Sequence, residues 1–208
     1  MYDIDKNREL LQSSFETLLK KIGPVPIGKS HHFPYGWRKS AKGRTVWRIL
    51  EEIITQNLEK YHSELEITEV VPAESEVGVY DFKLKFSHTH DYIFVNVKSA
   101  VKGGRTNKDD LSKALSLVDF FHNDLNRQLF IATFEINFLE DMTIDFTKVY
   151  VMPITWVPDI YVNPSNNGNL QSAKYKKLET AIKRTNEEFY DLLKKEIDFA
   201  MTKKMKKI

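Results

Sequence analysis

Val77-Gly78-Val79-Tyr80-Asp81-Phe82-Lys83-Leu84-Lys85-Phe86 and, five residues on, Asp91-Tyr92-Ile93-Phe94-Val95-Asn96-Val97-Lys98-Ser99 decide how this chain folds. Both alternate as strands do, so Asp81 shares a side with Val79 and Lys83, while Asn96 and Lys98 share a side with Tyr92 and Phe94. The opposite face of the second strand, Ile93, Val95 and Val97, is apolar and predicts burial. An amide and an ammonium therefore project two residues apart near the carboxyl end of a strand whose other face is core. Charged side chains at strand ends are often simply solvated. The alternative is a phosphodiesterase site, in which an acid from one strand and an oxygen ligand from the next hold a divalent cation while the lysine faces the attacking water.

Working outward, His88-Thr89-His90 closes a predicted hairpin between these strands. The two histidines lack a third soft ligand near them in sequence, which argues against a zinc site. Upstream, Val46, Ile49, Leu50, Ile53, Ile54 and Leu58 mark an amphipathic helix from Arg44 to about Tyr61. On its wheel Glu51 falls nearer the apolar stripe than Glu52, so Glu51 is the acid expected to reach Asp81 if either does. Leu10, Leu11, Phe15, Leu18, Leu19 and Ile22 form an earlier helix stopped by Gly23-Pro24. Residues 23–43 hold Phe33, Tyr35 and Trp37 among glycine, proline and basic residues, and read as an ordered loop that either clamps a ligand or covers the core.

Downstream, Thr106 or Asn107 is expected to cap a helix running to about Asn126. Leu129 to Phe138 is apolar enough for a central strand, and the length of the crossover makes it parallel to the Lys98 strand. A further strand is predicted over Lys148 to Val157. After it comes an amide-rich turn with Asn163, Asn166, Asn167, Asn169 and Gln171, and then a long helical region from about Ala173 to Lys206. Amides pair with the hydrogen-bonding edge of adenine, whereas Asn in turns also serves backbone conformation alone.

Composition limits the alternatives. With 208 residues, 41% of them hydrophobic, the chain can bury a substantial core, and we expect a single domain over 1–208. Within it, 1–43 would be an amino-terminal helix and basic loop, 44–160 the core, and 161–208 the amide loop with the carboxyl-terminal helical region. The absence of cysteine excludes disulfides and thiolate metal sites. The amino terminus lacks the order of a secretory signal and no apolar run spans a bilayer, so a soluble, cytoplasmic protein without membrane association is the expectation. Net charge is only +2, but its distribution is uneven. No acid occurs from Thr17 to Leu50, where Lys39 and Arg44 lie among eight cations, nor from Tyr92 to Lys108, where Lys98, Lys102, Arg105 and Lys108 surround Gly103-Gly104. Glycine among cations lets backbone approach phosphates.

The order helix with Glu51, strand with Asp81, strand Phe94-Val95-Asn96-Val97-Lys98, glycine-basic loop, helix, apolar strand and amide-rich turn resembles type II restriction endonucleases of the PD-(D/E)xK superfamily, most closely their EcoRV-like, blunt-cutting branch. The resemblance covers roughly residues 40 to 180. It implies an α/β fold with a mixed central sheet flanked by helices, a homodimer acting on double-stranded DNA with Mg²⁺ as cofactor, and a cognate methyltransferase that modifies the same DNA site. Asp81 then takes the place of the first motif acid, Asn96 that of the second acid, and Lys98 that of the lysine, with Glu51 assisting. Asp81, Asn96 and the carbonyl of Val97 become the metal ligands. Lys39, Arg44, Lys102, Arg105, Asn107, Asn166, Asn169 and Gln171 become the DNA contacts. Tyr80 stands where the motif has proline. Asn96 removes one negative charge from the ligand set, which weakens Mg²⁺ binding and leaves open a non-catalytic DNA-binding protein, an inactivating substitution, or a repair or junction nuclease of the same superfamily.

Overall fold

In a computed structural model, residues 3–37, 42–74, 78–104, 108–165 and 168–205 are described, with the backbone alone for 42–45. Helix α1 (Ile4–Ile22) starts where Asp3 accepts hydrogen bonds from the backbone N–H groups of Asp5 and Lys6. It stops where Gly23, at φ 64°, returns its N–H to the Leu19 carbonyl. Helix α2 covers Lys42–Tyr61. Strands β1 (Val25–Pro26), β2 (Ile67–Pro72), β3 (Phe82–Phe86), β4 (Ile93–Val101), β6 (Gln128–Phe138) and β7 (Thr143–Pro153) form one sheet in the order β1-β7-β6-β4-β3-β2. Within it β4 and β6 are parallel and every other pair is antiparallel. A separate three-stranded sheet, ordered β5-β9-β8, contains β5 (Asp109–Lys113), β8 (Tyr161–Asn163) and β9 (Asn169–Ser172). Helices α3 (Ala114–Asn123) and α4 (Asn186–Met205) complete the fold, a mixed α/β architecture with a mixed sheet flanked by helices.

Alternation along β4 divides the interior into two. Ile93, Val95 and Val97 join Phe15, Leu18, Leu50, Ile54, Phe82 and Phe134 under α1 and α2. Phe94, together with Tyr80, packs on the other side with Phe120, Phe121, Trp156 and Phe189 under α3 and α4. The Phe15 ring is fully buried and meets Phe134 and Phe82 edge-on at centroid distances of 5.5 and 6.4 Å, so α1 is keyed into the sheet by one aromatic side chain. The hairpin, the central position of β6 and its parallel pairing with β4 agree with the sequence reading.

Four expectations are corrected. The first turns predicted as helix after Asn107 are strand β5: Leu111 alone of its residues is fully buried, and the edge of β9 supplies hydrogen bonds that outweigh helical periodicity. Strand β7 begins at Thr143 rather than Lys148, because Met142 at φ 68° turns the chain and the Asp141 carboxylate accepts the Thr143 N–H; Ile154–Trp156 is already a 3-10 turn. Residues 173–185 are largely irregular, tied down where Arg184 donates to the carbonyls of Val157 and Thr155. Helix α4 starts only at Asn186, behind a reciprocal cap in which Thr185 Oγ1 accepts from the Glu188 N–H and the Glu188 carboxylate accepts from the Thr185 N–H. Strand β3 opens at Phe82, so Asp81 lies just outside it.

The loop after α1, over 23–37, lies along the β6–β7 end of the sheet. Val25–Pro26 pairs with Ile144 and Thr143, and Trp37 donates from Nε1 to the Leu139 carbonyl while its ring meets Phe138 at 4.7 Å. Trp37 thus covers the edge of the first core, whereas Tyr35 stays 81% exposed.

Candidate active site

The β3–β4 ladder ends at the pair Phe82 and Val95. One step beyond, Asp81 still donates its backbone N–H to the Val95 carbonyl and gives its own carbonyl to the Ala73 N–H, which fixes the residue although it stands outside the strand. Its side chain then does what the next strand residue would have done: Asp81 Oδ2 accepts the Val97 N–H at 2.5 Å. In an extended chain a residue's N–H and C=O point the same way, so the Val97 carbonyl opens on the same side, beside the carboxylate. Lys98 follows on β4, held in register with Thr133 of β6.

Glu51 arrives from α2, whose buried stripe Val46, Leu50, Ile54 and Leu58 seats the helix on the first core. Glu51 is half-buried and Glu52 faces solvent, where it accepts from Gln56, so their burial follows the helical wheel. Burial, followed by the Asp81 charge, pushes the Glu51 carboxyl up to about 7, against the opposing cations Arg48 and Lys98. Burial also raises Asp81, although the Val97 N–H, Lys98 and Arg48 all favour its ionised form. Lys98 is driven down from the usual lysine value by desolvation, and Asp81, Glu51, Asp110 and Asp109 act to hold its proton. Burial thus works against the charged form of all three groups.

Asn96 is 7% exposed and lies on the same side of β4 as Lys98. Its Nδ2 donates to the Val79 carbonyl at 2.9 Å, which fixes the amide orientation and leaves Oδ1 buried with no hydrogen-bond partner among the described residues. Such an oxygen costs about 1–3 kcal/mol. Cation coordination is one way to recover that cost. By chemistry alone, Glu51, Asp81, the Asn96 amide oxygen and the Val97 carbonyl are oxygen donors of the kind that a hard divalent cation takes. Among the described residues no three His, Cys, Asp or Glu side chains group closely enough to hold a metal by themselves, so any such site relies on the neutral oxygens.

The remaining sequence candidates divide. Lys102 is exposed in the turn after β4, shaped by Gly103 at φ 68° and by Gly104, where a Cβ would stand 2.8 Å from the Val101 carbonyl oxygen. Asn169 pairs across β9 with Asn163 and Lys113. Gln171 has its amide engaged inside the small sheet, donating to Asp110 Oδ1 at 2.6 Å and accepting from Asn163 Nδ2 at 3.3 Å. Lys39, Arg105, Asn107 and Asn166 lie outside the described residues, as does the side chain of Arg44. Sequence reasoning missed Arg48, whose Nη1 stands 3.8 Å from Glu51 Oε2 and whose guanidinium stacks on Trp47 at 4.1 Å. Its position three residues before Glu51 on a helix was the available signal. Asp109 and Asp110 carried none.

A groove of about 730 Å³ runs along the outer edge of β7, between α1 and residues 175–178. Gln12 occupies that edge like a fragment of strand, donating Nε2 to the Val149 carbonyl and accepting the Val151 N–H. Strand β6 separates it from β4, so it is not part of the Lys98 site.

No family model and no curated protein matches the sequence. Among solved structures the fold is similar to that of the NlaIV restriction endonuclease, with a TM-score of 0.47 and 13% identity over 75% of this chain and 74% of that one. Among the described residues no helix is long and apolar enough to cross a membrane.

Proposed function

We propose that this chain is a Mg²⁺-dependent endonuclease of double-stranded DNA, acting as a type II restriction enzyme and leaving 5′-phosphates. The observation that carries this reading is the Asp81 carboxylate seated on the Val97 N–H, one residue before Lys98, with Glu51 of α2 near enough to act electrostatically on both. Glu51, Asp81, Asn96 Oδ1 and the Val97 carbonyl would hold the cation, which when bound supplies charge stabilisation at the scissile phosphate and a more acidic water. Lys98 orients that water and neutralises charge that develops on the phosphorus oxygens. Arg48 restrains Glu51 from the helix surface. Lys102 at the following turn contacts the DNA backbone, and Asn169, half-buried at the start of β9, reaches the bases. A homodimer sharing one DNA duplex, blunt cutting and a matching methyltransferase complete the reading.

Supercoiled plasmid incubated with Mg²⁺ should be cut to discrete bands by the wild-type chain, and Lys98→Ala and Asp81→Ala should each lower the rate by about 100-fold or more. Equal cutting by all three rejects the assignment. A second reading, a DNA-binding protein without catalysis, is favoured by one observation, the neutral amide at position 96. It predicts salt-dependent DNA affinity with no divalent-ion binding in calorimetry, DNA present or absent.

A further inference from the structure

Helix α2 brings three dissimilar side chains to one side. Trp47 and Arg48 precede Glu51 by one turn, so the three are neighbours on the helix surface. Trp47 is 38% exposed, although the adjoining Val46 and the following Leu50 are buried in the first core. The Arg48 guanidinium lies over the indole at 4.1 Å, and its side chain keeps 54% of its exposure. Stacking uses the face of a guanidinium and leaves the N–H groups at its rim pointing sideways, the arrangement that takes a phosphate through two parallel hydrogen bonds. Arg48 Nη1 stands 3.8 Å from Glu51 Oε2, close enough for attraction but beyond a hydrogen bond. A charge pair so long and so exposed holds weakly, and a cation on Glu51 with a phosphate on Arg48 can replace it.

We propose that Arg48 is a DNA-binding residue that grips a backbone phosphate beside the cation site, and that Trp47 is the positioning residue that aims its guanidinium. The proposal deepens the nuclease reading and rests on it for the nearness of the cut. It gives α2 two tasks, with Glu51 serving the cation and Arg48 the DNA strand. In the chain without DNA the guanidinium stands against Glu51; on the duplex it exchanges that carboxylate for a phosphate and keeps the indole beneath it. A phosphate contact fixes position and reads no base, so its loss is felt on every DNA sequence alike.

The test uses the full chain with Arg48→Ala, Arg48→Lys, Trp47→Phe, Trp47→Leu, Glu51→Gln and the Arg48→Ala/Glu51→Gln pair. Affinity for fluorescein-labelled DNA duplexes of unrelated sequence is measured with Ca²⁺ in place of Mg²⁺ at several salt concentrations. Arg48→Ala should weaken binding about tenfold and lower the slope of log affinity against log salt by about 0.9 for each chain bound. Arg48→Lys should keep the slope and lose about threefold, since the charge remains and the fork does not. Trp47→Phe should bind as wild type, whereas Trp47→Leu should lose about threefold. The Arg48→Ala loss should be equally large in the Glu51→Gln background, because the contact is made with DNA and not through the carboxylate. Of the three tryptophans Trp47 alone is exposed, so DNA should also shift the tryptophan emission, and Trp47→Phe should abolish the shift.

An Arg48→Ala protein with wild-type affinity and salt slope overturns the proposal. A loss that vanishes in the Glu51→Gln background overturns it too, since Arg48 would then only support Glu51, as does an emission shift that survives Trp47→Phe. None of these readouts needs cleavage. A chain that cuts plasmid with Mg²⁺ while Arg48→Ala binds as wild type loses the proposal and keeps the nuclease reading. A chain that never cuts DNA but shows the Arg48-dependent slope loses the nuclease reading and keeps the phosphate contact.

Discussion

Replacing Glu51 by glutamine should stabilise this protein, and only above a definable pH. The Glu51 carboxyl is pushed from 4.5 to about 7 in the folded chain, first by burial and then by Asp81. The folded state therefore binds this proton more tightly than the unfolded state, and stability falls as pH rises between those two values. Below about 4.5 both states are protonated and the substitution is neutral in this respect; above about 7 the full cost of an ionised Glu51 is present and glutamine removes it. The rise from 4.5 to about 7, at about 1.36 kcal/mol for each pH unit, sets a ceiling near 3 kcal/mol. The Glu51 side chain keeps 20% of its exposure and has Arg48 beside it, so screening reduces this to about 1–2 kcal/mol. In a chain of this size that corresponds to about 3–6 °C in Tm. Thermal unfolding of both proteins in metal-free buffer, at several pH values from about 4 to about 9, should show the two melting points together at the acid end and separated at the alkaline end. A Glu51→Gln protein less stable than wild type at high pH, or one whose advantage is the same at every pH, would refute a buried carboxylate beside Asp81.

Asn96→Asp should destabilise the metal-free protein by about 1–3 kcal/mol, since a carboxylate oxygen then faces the Val79 carbonyl in place of an N–H. It should also gain a larger Tm increase from Mg²⁺ than wild type; an equal or smaller gain argues against a cation at this site. Gln12→Leu leaves the Val149 carbonyl and Val151 N–H of the β7 edge without their partner, and should cost about 1–3 kcal/mol by urea unfolding at an unchanged m-value. Phe15→Ala removes a fully buried ring from between Phe82 and Phe134 and should cost about 3–5 kcal/mol in the same assay. A loss below about 1 kcal/mol would mean that α1 does not dock through this residue.

Local pattern sufficed for the hairpin, for the apolar strand β6, for the deeper burial of Glu51 than of Glu52 and for the stop at Gly23, because alternation, helical period and a left-handed glycine are written within a few residues. The Thr185–Glu188 cap was equally legible, as a threonine three residues ahead of a glutamate, and marks the start of α4 that a helical reading from Ala173 passed over. Strand β5 was not legible in this way. Asp109 to Lys113 is short and polar, and becomes a strand because β9 offers it an edge from sixty residues away.

The same division holds for the candidate site. Sequence alone determined that Asn96 and Lys98 stand on one side of their strand with Tyr92 and Phe94, since side-chain alternation follows from the extended backbone itself. Only the tertiary structure decided that Asp81 secures the Val97 N–H, that Arg48 and Glu51 stand side by side on α2, and that Glu51 is near enough to feel the charge of Asp81 and Lys98. Those outcomes depend on packing between segments distant in the chain and on how much water the packing removes, and desolvation leaves no mark in the order of residues.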